Sequence, residues 1–168
     1  KYAQYLDYNT FLRHFLVGEL SGNTDTYWST YMYKQRENDT LFVGPVWDFD
    51  IAFDNDSRTH NELNHPTGYL YSSGTASFAG GDNMQQFVTR IVKMDPVAKA
   101  RLKEMWKDLR DSGVITPESL VQYINDTEQY LDQSQKLNFK RWNNLHFNVN
   151  MNYQALGSYP AEVNVVRK

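Results

Sequence analysis

Two carboxylates, Asp48 and Asp50, are separated by one aromatic residue in the run Gly44-Pro45-Val46-Trp47-Asp48-Phe49-Asp50-Ile51-Ala52-Phe53-Asp54. In an extended strand alternate side chains share a face, so both acids point one way and Trp47, Phe49 and Ile51 point the other, into a core. Carboxylates at the end of a buried strand are costly without a partner. A divalent cation such as Mg²⁺ is a fitting one, because it takes one or two carboxylates together with phosphate oxygens. A third acid, Asp25, lies upstream. One chemistry uses the set as phosphoryl transfer does: Asp48, with or without Asp50, holds Mg²⁺, and Asp25 orients or deprotonates an acceptor hydroxyl. A second makes Asp25 and Asp48 or Asp50 the acid/base pair of a glycosidase. A third makes Asp48, Asp50, Asp54 and Asp56 a Ca²⁺ loop, although the spacing lacks the glycine turn and terminal Glu of an EF-hand. Without function, the acids form a hydrogen-bonded surface cluster.

The elements around these acids bring them together. Tyr27–Gln35 reads as a strand, at least from Thr30, and Arg36-Glu37-Asn38-Asp39 is turn chemistry. Thr40–Trp47 is β-rich and returns as the partner strand. Asp25 precedes one arm of this hairpin, and Asp48 and Asp50 follow the other. The ends of an antiparallel hairpin meet, so all three acids converge at one end of a small sheet.

Helices flank the hairpin. Phe11, Leu12, Phe15, Leu16 and Leu20 recur at three- and four-residue spacing and predict a first helix. Asp7 or Asn9 can cap its start, and Gly22 lies just past its end. His14 reads as an edge histidine. Residues 54–83 are polar and glycine-punctuated, which predicts a loop over the acidic site, with His60 and His65 in it. Met84–Met94 is helical, with Phe87, Ile91 and Met94 on one face. Asp95-Pro96 starts the next helix, whose inward residues are Val97, Leu102, Met105, Trp106 and Leu109. Thr116-Pro117-Glu118 opens another, with Leu120, Val121, Ile124, Tyr130 and Leu131 as its stripe, and residues 133–145 read as a further one. Asn148–Gln154 is irregular, and Ser158-Tyr159-Pro160 opens the last helix. The fold class is therefore α+β: a small antiparallel hairpin or sheet carrying an acidic site, packed against several helices.

Composition narrows the function. The chain has 168 residues, a net charge of −3 and no cysteine, so disulfides and thiolate metal sites are excluded. Acids and bases are interspersed, which argues against a nucleic-acid partner recruited by bulk charge. The segment Lys93–Lys107 reads as a solvated helix face. No apolar run reaches membrane-spanning length, so no membrane insertion is expected of this segment.

Several runs taken in order, Asp7-Tyr8-Asn9-Thr10-Phe11, Glu19-Leu20-Ser21-Gly22-Asn23-Thr24-Asp25, Tyr31-Met32-Tyr33-Lys34 and Pro45-Val46-Trp47-Asp48-Phe49-Asp50-Ile51-Ala52-Phe53, resemble the CotH family, the spore-coat-type atypical protein kinases of bacteria and some fungi. The resemblance covers residues 5–55; the later helices carry no specific motif. It implies a kinase-like fold, ATP with Mg²⁺ or Mn²⁺, and transfer to Ser or other hydroxyls of a protein substrate. It implies Asp48 as metal-binding Asp, Asp25 as catalytic-loop Asp, and Asp50 as a second acid with a supporting or metal role. It also implies an extracellular or cell-surface location. Two positions depart from the pattern. Thr30 stands where an Asn would hold a second metal, and Asp54 stands where a Gly would close the motif. No glycine-rich loop or strand Lys of the nucleotide-cradling kind precedes Asp25. Residues 1–168 therefore read as one domain fragment, the C-terminal portion of such a domain with its N-terminal lobe missing, and weakly active or inactive alone. The alternative is a non-catalytic bacterial surface or binding module whose acidic site is structural or holds Ca²⁺.

Overall fold

In the computed structural model the described residues are 2–58, 70–72 and 81–168. His60 and His65, and most of the loop expected over the site, lie outside them. The order is α1 (Tyr8–Ser21), β1 (Met32–Lys34), β2 (Leu41–Val43), α2 (Gly81–Thr89), α3 (Pro96–Asp111), α4 (Pro117–Arg141) and α5 (Tyr159–Val166). Helices with a two-stranded antiparallel sheet make the fold α+β, as the sequence predicts. Among the described residues no helix is long and apolar enough to cross a membrane.

Helix α1 begins and ends where its capping residues require. Asp7 accepts from the Thr10 N–H at 2.7 Å, and Gly22 closes the helix at φ 63°, a conformation that glycine adopts without penalty. Its Phe11, Leu12 and Phe15 are buried and face Val43 of β2, Val88 of α2, and Ile91 and Val92 beyond it. Leu20, expected on that stripe, is exposed.

The hairpin is shorter than predicted. Met32 pairs with Val43, Tyr33 with Phe42 and Lys34 with Leu41. Residues 26–29 are not strand because their N–H groups turn back: Thr26 donates to the Asn23 carbonyl, and Trp28 and Ser29 donate to that of Asp25. Beyond Val43 the alternation also fails. Residues 44–50 are not strand, Trp47 is 44% exposed, and only Ile51 and Ala52 enter the interior. Asp48 lies in the left-handed region at φ 58°, so Asp48 and Asp50 do not share a strand face.

The later helices differ from the sequence pattern in register and burial. Residues 90–94 continue α2 as a π-helical turn, which advances the register; Ile91 and Val92 are buried and Met94 is exposed. On α3 the buried residues are Ala98 and Met105, while Val97 and Trp106 face out. Its lysines 99, 103 and 107 are solvated, as expected. Helix α4 is one 25-residue element where two were expected, and it buries no side chain. Residues 149–153 return to the front of the molecule. Ser57 N–H donates to the Met151 carbonyl at 2.8 Å and Tyr153 N–H to that of Asn55 at 2.9 Å, tying this segment to the stretch that follows the acidic run.

Candidate active site

The loop that carries Asp25 is built from its own backbone bonds. Past Gly22, the Asn23 N–H donates to the Gly18 carbonyl, and the Asn23 carbonyl takes the Thr26 N–H at 3.0 Å and the Thr26 hydroxyl at 2.6 Å. Asn23, Thr24 and Thr26 are buried, so these polar groups need the partners they have. Thr26 presses on Gly18 of α1 so closely that a Cβ there would collide with it. Only at Asp25 does the loop open to solvent, its side chain about one quarter exposed.

Three bonds stitch the acidic run to this loop. Asn23 spans both: its Oδ1 accepts the Asp25 N–H at 3.2 Å, and its Nδ2 donates to the Asp48 carbonyl at 3.2 Å. The Trp47 indole donates to the Ser29 carbonyl at 2.8 Å while its ring meets Tyr31, centroids 5.0 Å apart. Phe53 N–H donates to the Ser21 carbonyl at 2.7 Å. Asp25 and Asp48 then line one pocket, together with His14, Thr26, Ser29 and Trp47. His14 is thus part of the site's wall rather than an idle edge residue, and burial lowers its pKa.

Asp50 takes a different place. It lines the neighbouring groove between Phe53, Tyr153 and Val165, and its carbonyl accepts from the Asn55 amide at 2.8 Å. Its charge still reaches Asp25. Burial raises the Asp25 pKa; the Arg58 guanidinium opposes this, and Asp48, Asp56 and Asp50 add to it. Two of the three predicted acids therefore share a pocket, and the third contributes through its field.

Sequence reasoning assigns no role to Asn23 or Arg58, and it places Asp56 only in the Ca²⁺-loop reading. Asp56 is 1% exposed; it accepts the Thr24 hydroxyl at 2.6 Å and the Arg58 Nε and Nη2 at 2.9 and 2.7 Å. Arg58 Nη2 is also 4.0 Å from Asp25 Oδ1. The signal was present in the Asp-x-Arg spacing after the acidic run, but that stretch reads as loop.

The donor set bears on which cation fits. Among the described residues no three His, Asp or Glu side chains converge as a metal cage. Ca²⁺ wants six to eight oxygens, whereas Mg²⁺ is held by one or two carboxylates plus phosphate and water. The exposed Asp48 carboxylate beside Asp25 suits the second mode. Thr30 does not join it: its hydroxyl donates to the Thr26 carbonyl at 2.6 Å, and its side chain lines an apolar pocket with Phe11, Phe15 and Val43. Asp54, where the family pattern has Gly, sits at φ 62°, the region that glycine favours, and Phe53 before it at φ 55°.

A family model described as CotH kinase protein matches residues 1–167. The chain belongs to the CotH family. The match runs well past the residues 5–55 that carry the resemblance in the sequence, so the later helices belong to the same CotH unit. No curated protein and no solved structure matches the chain.

Proposed function

We propose that this CotH chain carries the catalytic carboxylates of a metal-dependent phosphotransferase that moves the γ-phosphoryl group of ATP to a hydroxyl of a protein. The observation that supports this most is the joining of Asp25 and Asp48 in one pocket through the amide of Asn23. Phosphoryl transfer asks the protein for positioning and charge more than for covalent chemistry. Asp48 would hold Mg²⁺ or Mn²⁺, with Asp50 supporting from the adjacent groove; the cation would neutralise charge on the phosphate oxygens. Asp25 accepts a hydrogen bond from the acceptor hydroxyl and takes its proton as the oxygen bonds to the γ-phosphorus and the bond to the departing ADP oxygen breaks. The buried threonines and Asn23 hold Asp25 still, so little reorganisation accompanies the step.

A second reading has one observation in its favour. The Thr30 hydroxyl is committed to the Thr26 carbonyl, and Thr30 is not among the residues that line the pocket of Asp25 and Asp48, which leaves it poorly suited to hold a second metal. That suits a non-catalytic module whose acids are structural or hold Ca²⁺. Calorimetric titration separates the two readings. Mg²⁺, Mn²⁺ and Ca²⁺ are titrated, with and without ATP, into the protein made from its complete coding sequence and into Asp48→Ala. Mg²⁺ or Mn²⁺ binding that depends on ATP and disappears in Asp48→Ala supports the phosphotransferase. Ca²⁺ binding indifferent to ATP, or no metal binding at all, overturns it.

A further inference from the structure

Buried Asp56 and half-buried Arg58 form a two-pronged ion pair beside Asp25. Both Asp56 oxygens are engaged: Oδ1 by the Arg58 N–H and Nε, each at 2.9 Å, and Oδ2 by Arg58 Nη2 at 2.7 Å and the Thr24 hydroxyl at 2.6 Å. Removing two charges from water costs about as much as their attraction returns, so such a pair is a weak device for stability. Its position is more informative. Asp56 grips Thr24, the residue before Asp25, and Arg58 reaches to 4.0 Å from the Asp25 carboxylate, too long for a hydrogen bond but close for a field. Asp56 is itself fixed by a bridge to Asn152.

We propose that Arg58 is an electrostatic positioning residue for Asp25: anchored on Asp56, it keeps positive charge beside the one carboxylate that must remain ionised to accept the acceptor's proton. Among the described residues the charged groups that act on Asp25 are Arg58 and Asp56 from the stretch after the acidic run and Asp48 and Asp50 within it, and His14 from α1 lines the same pocket. Arg58 is the cation among them that opposes three carboxylates. The role rests on the phosphotransferase reading, but the coupling between Arg58 and Asp25 does not.

The test compares wild type, Arg58→Gln, Arg58→Lys and the double variant Asp56→Asn/Arg58→Gln, each checked for folding by thermal melting. The midpoint of the Asp25 carboxyl titration is followed by ¹³C NMR, assigned with Asp25→Asn. Phosphoryl transfer from ATP is measured in parallel. The midpoint moves to higher pH in Arg58→Gln and stays near wild type in Arg58→Lys. The acid limb of the kcat profile moves to higher pH with it in Arg58→Gln, with KM little changed, because only the ionised carboxylate accepts the proton. The double variant removes the orphaned buried carboxylate and so regains stability, yet its acid limb stays above that of wild type. An unchanged midpoint in folded Arg58→Gln, or a double variant whose acid limb returns to that of wild type, overturns the proposal. A shifted midpoint in a protein that transfers no phosphate leaves the coupling standing and removes the phosphotransferase reading instead.

Discussion

Asn23 holds Asp48 through its side chain, donating to the Asp48 carbonyl at 3.2 Å from a site that is 97% shielded from solvent. The same amide accepts the N–H of Asp25 at 3.2 Å. One side chain thus fixes the spacing of both acids. Replacing it with Ala leaves a part-buried carbonyl and a part-buried N–H short of a protein partner, at a cost of about 0.5–1.5 kcal/mol for each bond. Asn23→Ala is expected to lose more in kcat than in KM, because the acids are misplaced while their charges remain. Steady-state kinetics at a temperature below the lowered melting point check this.

Gly18 is where α1 touches the Asp25 loop. A methyl at this position collides with Thr26, whose hydroxyl is committed to the Asn23 carbonyl and whose short side chain cannot swing aside. Gly18→Ala would normally help a helix by up to about 1 kcal/mol. Here the overpacking outweighs that gain, and a net loss of about 1–2 kcal/mol is expected. Urea unfolding of the two proteins gives the sign directly.

Asp95 predicts a pH dependence far from the site. It caps α3 by accepting the Val97 and Ala98 N–H groups, and it accepts the hydroxyls of Tyr8 at 2.6 Å and Tyr2 at 2.8 Å. The Tyr8 and Tyr2 hydroxyls lower its pKa to about 2, below the ordinary 3.8. A carboxylate depressed in the folded state stabilises above its unfolded pKa and ceases to as pH falls through the folded one. Asp95→Ala should therefore cost about 1–2 kcal/mol at neutral pH. The difference from wild type should shrink between about pH 4 and pH 2. Chemical denaturation across that range measures it.

The legible parts of this fold were those written in local chemistry. Asp7 and Gly22 bound α1, Asp95-Pro96 opens α3, and Thr116-Pro117 opens α4 because each answers a need of nearby backbone groups. The hairpin was legible in kind, and so was the nearness of Asp25 and Asp48, but not the separate groove that Asp50 lines. What was not legible depends on contacts distant in sequence. The strand reading of residues 47–51 failed because Asn23, Ser29 and Ser21 hold that run from outside, with Asp48 left-handed, so period-two alternation has no meaning there. On α3 the expected Leu102 and Met105 do meet the core, but the small Ala98 takes the inward place expected of Val97, and Trp106 faces out. Arg58 escaped notice because its value comes from Asp56 and Asp25, thirty-three residues apart from the latter in sequence.

If Asp25 accepts the proton of the hydroxyl to which phosphate is transferred, transfer depends on its carboxylate. Transfer of labelled γ-phosphate from ATP, measured for the protein made from its complete coding sequence and for Asp25→Asn, tests it most directly. Transfer by wild type is expected, with a fall of about 10²- to 10⁴-fold in Asp25→Asn and metal-dependent ATP affinity little changed, since Asp48 is intact. Transfer by Asp25→Asn at the wild-type rate, or none by wild type with Mg²⁺ or Mn²⁺ present, would contradict it.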